Sequence, residues 1–106
     1  MNIDQIMKAA KSMQESMQNA QQALEEQEVE GQSGGGLVKI TANAQGKVLR
    51  VAIDDSLMKV EEREMLEDLI VAAFNDAKLR AEEVAQKTMA EATKGAPIPP
   101  GFKLPF

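Results

Sequence analysis

Seven apolar residues near the start of the chain recur at alternating steps of three and four positions, the heptad spacing of a coiled-coil seam. The positions between them are mostly Gln, Asn, Glu, Lys and Ser, so only one narrow stripe of such a helix can be buried. The pattern therefore predicts a long N-terminal helix that packs through a single face. The seam consists of Ile3, Ile6, Ala10, Met13, Met17, Ala20 and Leu24.

Two kinds of surface can cover this seam. One is the chain's own sheet, and the other is a long helix, either from a second subunit or in an antiparallel pair. A chain of 106 residues builds only a modest core. The sequence therefore favours the helix contact, and from it we expect a homodimer.

The residue types that are missing exclude most catalytic chemistry. The chain has no Cys and no His, so thiol nucleophiles, imidazole acid-base catalysis, disulfides and Cys/His zinc sites are excluded. Glu64, Glu67 and Asp68 lie within one turn of a predicted helix, but carboxylate metal pairs in helix bundles usually also recruit His. We expect one domain over residues 1–106 that is not an enzyme and has no cofactor, no metal and no small-molecule substrate.

Glycines separate the first helix from a predicted sheet. Residues 31–36 match the spacing of half a phosphate loop, but Leu37 and Val38 stand where a Lys and a Ser or Thr are needed, so we predict turns there instead. Residues 37–42 and 47–54 are rich in β-forming side chains, and Asn43 and Gly46 suit a hairpin loop between them. Strict alternation places Leu49, Val51 and Ile53 on one face and Val48, Arg50 and Ala52 on the other. Because a two-stranded hairpin is marginal, residues 29–33 are expected to add a third strand.

A second long helix and an extended tail complete the chain. Acidic residues from Glu61 open the helix, an apolar face runs from Leu66 to Ala85, and Gly95 is expected to end it. All four prolines and two of the three Phe residues lie in residues 96–106, which predicts an extended tail. Its apolar side chains are expected to cover the body of the protein, and docking of a partner is the alternative.

Charge is segregated along the chain, although the formal net charge is −5. Residues 31–53 contain Lys39, Lys47 and Arg50 and no acid, whereas residues 54–77 contain many acids against Lys59 and Arg63. The N-terminus lacks the features of a signal peptide, and no apolar run approaches the ~18 residues of a membrane span. We expect a cytoplasmic protein without a membrane partner.

Four segments together resemble the bacterial YbaB/EbfC family of nucleoid-associated DNA-binding proteins, and the resemblance covers essentially the whole chain. The segments are residues 31–39 (GQSGGGLVK), 53–57 (IDDSL), 66–77 (LEDLIVAAFNDA) and 99–106 (PPGFKLPF). The resemblance implies an α+β dimer with a long N-terminal helix, a three-stranded antiparallel sheet and a long C-terminal helix. It also implies binding of duplex DNA by basic residues on projecting helices, and a role in nucleoid organisation or gene regulation.

The candidate DNA-binding residues are the basic side chains on the two helices, because a protein of net charge −5 meets a polyanion only through local basic surface. Lys78 and Arg80 point about 200° apart on a helix, so one should dominate, and the forked guanidinium of Arg80 is the better phosphate ligand. The alternative function is a dimeric scaffold that binds other proteins through its acidic helix face and its Pro/Phe tail. The DNA-binding candidates are Lys8, Lys11, Lys78, Arg80 and Lys87.

Overall fold

The computed structural model describes residues 2–92 and has the predicted α+β architecture. Two single turns of 3₁₀ helix, Asp55–Leu57 and Val60–Glu62, join the sheet to the second helix. The predicted end of that helix at Gly95 and the predicted tail lie outside the described residues. The elements are α1 (Ile3–Glu26), β1 (Glu28–Ser33), β2 (Val38–Asn43), β3 (Val48–Ile53) and α2 (Arg63–Ala92).

The three strands form one antiparallel sheet in the order β1-β2-β3, so the predicted third strand is confirmed. The loop between β2 and β3 is organised by Asn43, whose side-chain oxygen accepts hydrogen bonds from the backbone N–H groups of Gln45 and Lys47, both at 3.0 Å. Gly46 then adopts φ 93°, which a residue with a side chain rarely adopts. Asn43 and Gly46 therefore close the hairpin as a pair.

A β-bulge changes which residues of β3 share a face. Thr41 lies opposite Arg50 but Ala42 lies opposite Val48, so Leu49 is the additional residue on β3. Val48 consequently lies on the same face as Ala42 and Val51. The prediction from strict alternation, which placed Val48 with Arg50 on the opposite face, is wrong for this reason.

The main core lies between the sheet and α2. Val38, Ile40 and Ala42 of β2 are buried against this helix, and Ala73 and Ala77 are the buried residues opposite them. Small side chains are required on α2 because the backbone of Gly31 in β1 lies directly against it. A Cβ atom on Gly31 would lie 2.5 Å from both the Ala73 carbonyl oxygen and the Ala77 Cα atom.

A second core joins α1 to the C-terminal half of α2. Ala20 and Leu24 pack with Met89 and with Ala44 of the hairpin loop, and Met17 and Ala92 border the same cluster. The Gln27 side-chain amide donates a hydrogen bond to the Thr88 hydroxyl at 3.3 Å, whereas Met17, ten positions earlier, packs against the cluster that Ala92 also borders. The two helices therefore run antiparallel.

This helix contact shows which surface covers the seam. The C-terminal half of the seam is covered by an antiparallel helix of the same chain, whereas Ile3 and Ile6 at its other end are 73% and 50% exposed. The predicted helix contact is therefore confirmed for the C-terminal half of the seam, where it is an antiparallel pair within one chain, and the expectation that a second subunit covers the seam is wrong for that half. The exposed N-terminal end alone gives weaker support for a dimer contact at the seam.

Candidate nucleic-acid interface

The first third of α1 projects beyond the rest of the described chain. Residues 2–12 are all exposed, and α2 is described as far as Ala92, which borders the same cluster as Met17. The chain is accordingly elongated, with extents of 70 × 25 × 15 Å. Lys8 and Lys11 lie on this projecting part, about 120–180° around the helix axis from Ala20, so they face away from the contact with α2.

The predicted DNA-binding residues of α2 fall on two opposite flanks of the helix. Arg80 and Lys87 are seven positions apart, so they lie within about 20° of each other. Lys78 lies about 160° from Arg80 and borders a groove beside β3. Lys78 and Arg80 therefore face different surroundings, in agreement with the separation predicted from their spacing.

The five predicted ligands do not form one patch within a single chain. Lys8 and Lys11 share the projecting part of α1, Arg80 and Lys87 share one flank of α2, and Lys78 lies on the other flank. All five are exposed. A duplex held by all of them would have to contact several surfaces, or more than one copy of the chain.

Arg80 is the one of the five with an ion pair in the described part of the chain. Its Nε donates to Oδ2 of Asp76 at 3.1 Å, and the same oxygen accepts a hydrogen bond from the backbone N–H of Gln32 at 3.0 Å. Asp76 thus connects α2 to the outer edge of β1 while it holds one side of the guanidinium. The terminal amino groups of Arg80 remain available for phosphate oxygens.

The same contacts stabilise the charged form of Asp76. The hydrogen bond from the Gln32 backbone N–H, together with that from the Arg80 side chain, lowers the pKa of the Asp76 carboxyl below its ordinary value of 3.8. The Ser56 hydroxyl and backbone N–H likewise lower the pKa of Asp54. Both carboxylates are therefore charged at neutral pH and become protonated only in acid.

Replacing Asp76 with alanine is expected to lower the melting temperature modestly at pH 7. Because the native pKa of Asp76 lies below the unfolded one, its contribution is present above about pH 4 and is lost as the pH falls through the native pKa. The difference in melting temperature between wild type and variant should therefore shrink below pH 4. Thermal unfolding from pH 7 to pH 2 measures this difference, with Asp68→Ala on the same helix as control. A difference in melting temperature that stays constant down to pH 2 contradicts the stabilising role of the Asp76 carboxylate.

An apolar face remains uncovered where β3 extends beyond α2. The helix lies over β1 and β2, and β3 borders a groove of about 390 Å³ against the flank of α2. Ala42, Val48, Phe74, Ala77 and Ala81 supply most of its apolar lining. Val51 and Phe74 are 50% and 43% exposed. Both are large apolar side chains on the side of the sheet that carries the core, and such side chains are usually covered.

The composition of β3 is a sequence signal for this uncovered face. Five of its six residues are apolar and the sixth is Arg50, which lies with Ala52 on the face away from the core. So high an apolar content is unusual for a strand that stays exposed to solvent, and it indicates that β3 has a further contact. The seam of α1 is therefore not the single apolar surface that the sequence offers for a dimer contact.

The described residues contain neither a cluster of potential metal ligands nor a helix that is long and apolar enough to cross a membrane.

Comparison with known proteins relates this geometry to a family. The model of the YbaB/EbfC DNA-binding family matches residues 1–96. A nucleoid-associated protein of Rickettsia felis is 49% identical over 105 residues, which are 99% of this chain and 98% of that protein. A nucleoid-associated protein of Rickettsia africae is 48% identical over the same shares.

A solved structure has the same fold. The crystal structure of the uncharacterized protein HP0035 from Helicobacter pylori superposes with a TM-score of 0.75 and 26% sequence identity, over 90% of this chain and 99% of that chain. The relatives carry the name of a nucleoid-associated protein rather than that of an enzyme class. The chain belongs to the YbaB/EbfC DNA-binding family.

Proposed function

We propose that this protein binds duplex DNA as a homodimer in the nucleoid, in the cytoplasm, and contributes to nucleoid organisation or gene regulation. The observation that carries the proposal is its membership of a DNA-binding family along residues 1–96. The projecting part of α1 supports it, because an exposed helix with Lys8 and Lys11 on its outer side is a suitable shape for contact with a duplex.

Phosphate contacts supply the affinity. The net charge of −5 opposes binding at long range, so the attraction acts only close to the basic side chains. Four of these side chains lie on the outer side of α1 and on the Arg80 flank of α2, whereas Lys78 borders the groove beside β3. Phe74 is the one aromatic residue among residues 2–92, and it lines the groove beside β3. A single aromatic ring is too little to stack a run of unpaired bases, which favours duplex over single-stranded nucleic acid.

The dimer forms through the uncovered face of β3 and α2. Val48 and Phe74 line one groove and are 37% and 43% exposed, and Val51 on the same face of β3 is 50% exposed, so these large apolar side chains would otherwise stay in contact with water. Lys78 and Glu82 border the same groove. In a two-fold symmetric contact each cation can meet the acid of the partner, so the face is self-complementary in charge as well as apolar.

The outer edge of β3 supports the same interface. Within residues 2–92 the strand order ends at β3, so the backbone N–H and C=O groups on its outer side have no neighbouring strand. Such an edge is an aggregation hazard unless something covers it. An antiparallel β3 of a second copy covers it by a symmetric contact, and doubles the set of basic residues available to DNA.

Replacing Arg80 with alanine tests the DNA-binding site. Loss of one phosphate contact should weaken binding to all duplex sequences about equally and flatten the slope of log K against log salt by about one unit. The fold should be retained, because an exposed ion pair contributes little stability. The measurement is a salt-dependent affinity series on two unrelated duplexes, with circular dichroism to verify folding.

Arg63 provides a matched control on the same helix. Its Nε donates to Glu67 at 3.1 Å with i,i+4 spacing, the same distance and separation as in the pair of Arg80 with Asp76, but it lies at the acidic start of α2. Arg63→Ala should leave affinity and slope unchanged. If Arg80→Ala behaves like this control, Arg80 is not a ligand. If single alanine variants of Lys8, Lys11, Lys78 and Lys87 do so too, the scaffold function replaces DNA binding.

A further inference from the structure

The N-terminal half of the seam on α1 is largely uncovered by residues 2–92. Ile3 and Ile6 are 73% and 50% exposed, and Met7 beside them is 64% exposed. Ala10 is exposed as well, and Met13 is half-buried. The stripe that packs on α2 in its C-terminal half therefore continues as an apolar surface that meets water.

The described part of α2 stops where this uncovered half of the seam begins. Ala92 borders the same cluster as Met17, and α2 runs antiparallel to α1. A chain that continues along the direction of α2 after Ala92 therefore passes over the seam from Met17 towards Ile3.

Residues 93–106 are long enough to span the uncovered half of the seam. The distance along α1 from Met17 to Ile3 is about 21 Å, at about 1.5 Å per helical residue. Fourteen residues of extended chain reach about 43 Å, at about 3.1 Å per residue. Pro100 and Gly101 are the residue types favoured at the centre of a type II turn, which would return residues 102–106 along the seam.

The residue types of this segment suit an apolar stripe. Residues 93–106 contain Ile98, Phe102, Leu104 and Phe106 and no acid. The four prolines lack a backbone N–H, so a cover built from this segment buries fewer unpaired donors than an ordinary extended chain would. Because the segment is joined to α2, its effective concentration at the seam is on the order of millimolar, which favours it over a free partner.

From this geometry we infer that residues 93–106 cover the N-terminal half of the seam of their own chain, with Ile98, Phe102 and Leu104 packed against Ile6 and its apolar neighbours. The seam is then one continuous apolar stripe, covered by α2 in its C-terminal half and by this segment in its N-terminal half. The inference concerns the fold of the single chain and does not depend on the proposed DNA binding.

A second apolar site lies within reach of the segment. A groove of about 650 Å³ lies between α1, the hairpin loop and α2, and its lining includes Leu24, Ala44 and Met89. These three residues are already buried, and the chain would have to reverse its direction after Ala92 to enter the groove. A cover over the exposed seam therefore removes more apolar surface from water than a cover over the groove.

A thiol at position 6 can report the cover, because the chain has no cysteine of its own. The Ile6→Cys protein should react with a water-soluble maleimide about tenfold more slowly than the Ile6→Cys/Phe102→Ser/Leu104→Ser protein. Since both proteins carry the thiol at the same position, differences in thiol pKa between sites do not enter the comparison. Circular dichroism verifies that both are folded, and Phe102→Ala alone is a milder change that should raise the rate in the same direction.

Ser12→Cys is the matched control, because Ser12 is exposed and lies about 120° around α1 from Ile6. Its thiol should react at the same rate whether or not Phe102 and Leu104 are substituted. The inference is overturned if the Ile6→Cys thiol reacts at one rate with both segments. It is also overturned if the Ser12→Cys thiol responds as strongly, since the segment would then affect α1 as a whole.

Mixed refolding separates cover by the same chain from cover by a second copy. The Ile6→Cys protein with its own segment intact is refolded with a large excess of the Phe102→Ser/Leu104→Ser protein that retains Ile6. Slow reaction of the thiol should persist in the mixture, because each chain brings its own cover. A return to fast reaction would show that a second copy supplies the segment, and the inference of cover within one chain would be wrong.

Discussion

Replacing Gly31 with alanine is expected to destabilise the fold by about 3 kcal/mol or more and to lower the melting temperature by about 12 °C or more. The added methyl group would meet the backbone of α2 at Ala73 and Ala77, and backbone atoms inside a helix cannot turn aside as a flexible side chain can. Relief requires α2 to move off the sheet, which opens the core around Ile40 and Val38. Thermal and urea unfolding monitored by circular dichroism measure the effect.

Glu30→Ala serves as the control for this variant, because Glu30 is the neighbour of Gly31 in β1 and its side chain is exposed. It should change the free energy of unfolding by no more than about 0.5 kcal/mol. The restriction at Gly31 is one of space, since Gly31 is not among the glycines with positive φ. A Gly31→Ala protein that melts with wild type would show that α2 can separate from β1 at little cost.

Replacing Val51 with lysine should convert the dimer to a folded monomer. In the proposed interface the ammonium group would be buried against the apolar face of the partner, and a buried charge without a counterion is strongly unfavourable. In the single chain Val51 is half exposed, so the monomer tolerates the lysine. Sedimentation equilibrium at micromolar protein should give half the wild-type mass. Duplex affinity should fall by about two orders of magnitude, because two linked binding surfaces become one.

Val60→Lys is the matched control, because Val60 is 87% exposed and lies in the turn that precedes α2, outside the groove. It should keep the mass of wild type. A wild-type protein that sediments as a monomer would refute the dimer itself. A Val51→Lys protein that remains a dimer would move the interface to another surface, of which the exposed end of the seam at Ile3 and Ile6 is the next candidate.

The elements of this fold follow from local patterns in the sequence. The heptad stripe predicts α1, the β-branched runs beside Asn43 and Gly46 predict β2 and β3, and the marginal stability of a lone hairpin predicts β1. The features that local patterns do not predict depend on contacts between distant residues. The bulge at Leu49 shifts the faces of β3, and it follows from pairing with Thr41 and Ala42 rather than from any local signal.

The candidate site likewise combines features that local patterns predict with features that depend on contacts between distant residues. The spacing of Lys78 and Arg80 predicts that they point to different sides of α2, and they lie on opposite flanks of that helix. The hydrogen bonds that Asp76 makes with Arg80 and with the Gln32 backbone join groups on different elements, and helix periodicity contains no information about the strand edge. The position of the two helices on the sheet decides which half of the seam is covered by α2. Local patterns do not contain that information either.

α2 takes part in both cores, with Ala73 and Ala77 in one and Met89 in the other, so one continuous helix connects the β3 face with the projecting helix α1. A helix of 30 residues is about 45 Å long, so a small rotation at one of its ends moves the other end by several ångströms. A rotation of about 10° between two protomers at one end would displace the other end by about 8 Å, more than two base-pair steps of about 3.4 Å. Small differences in how two copies meet would therefore set the gap between their α1 helices, and with it whether a duplex fits between them.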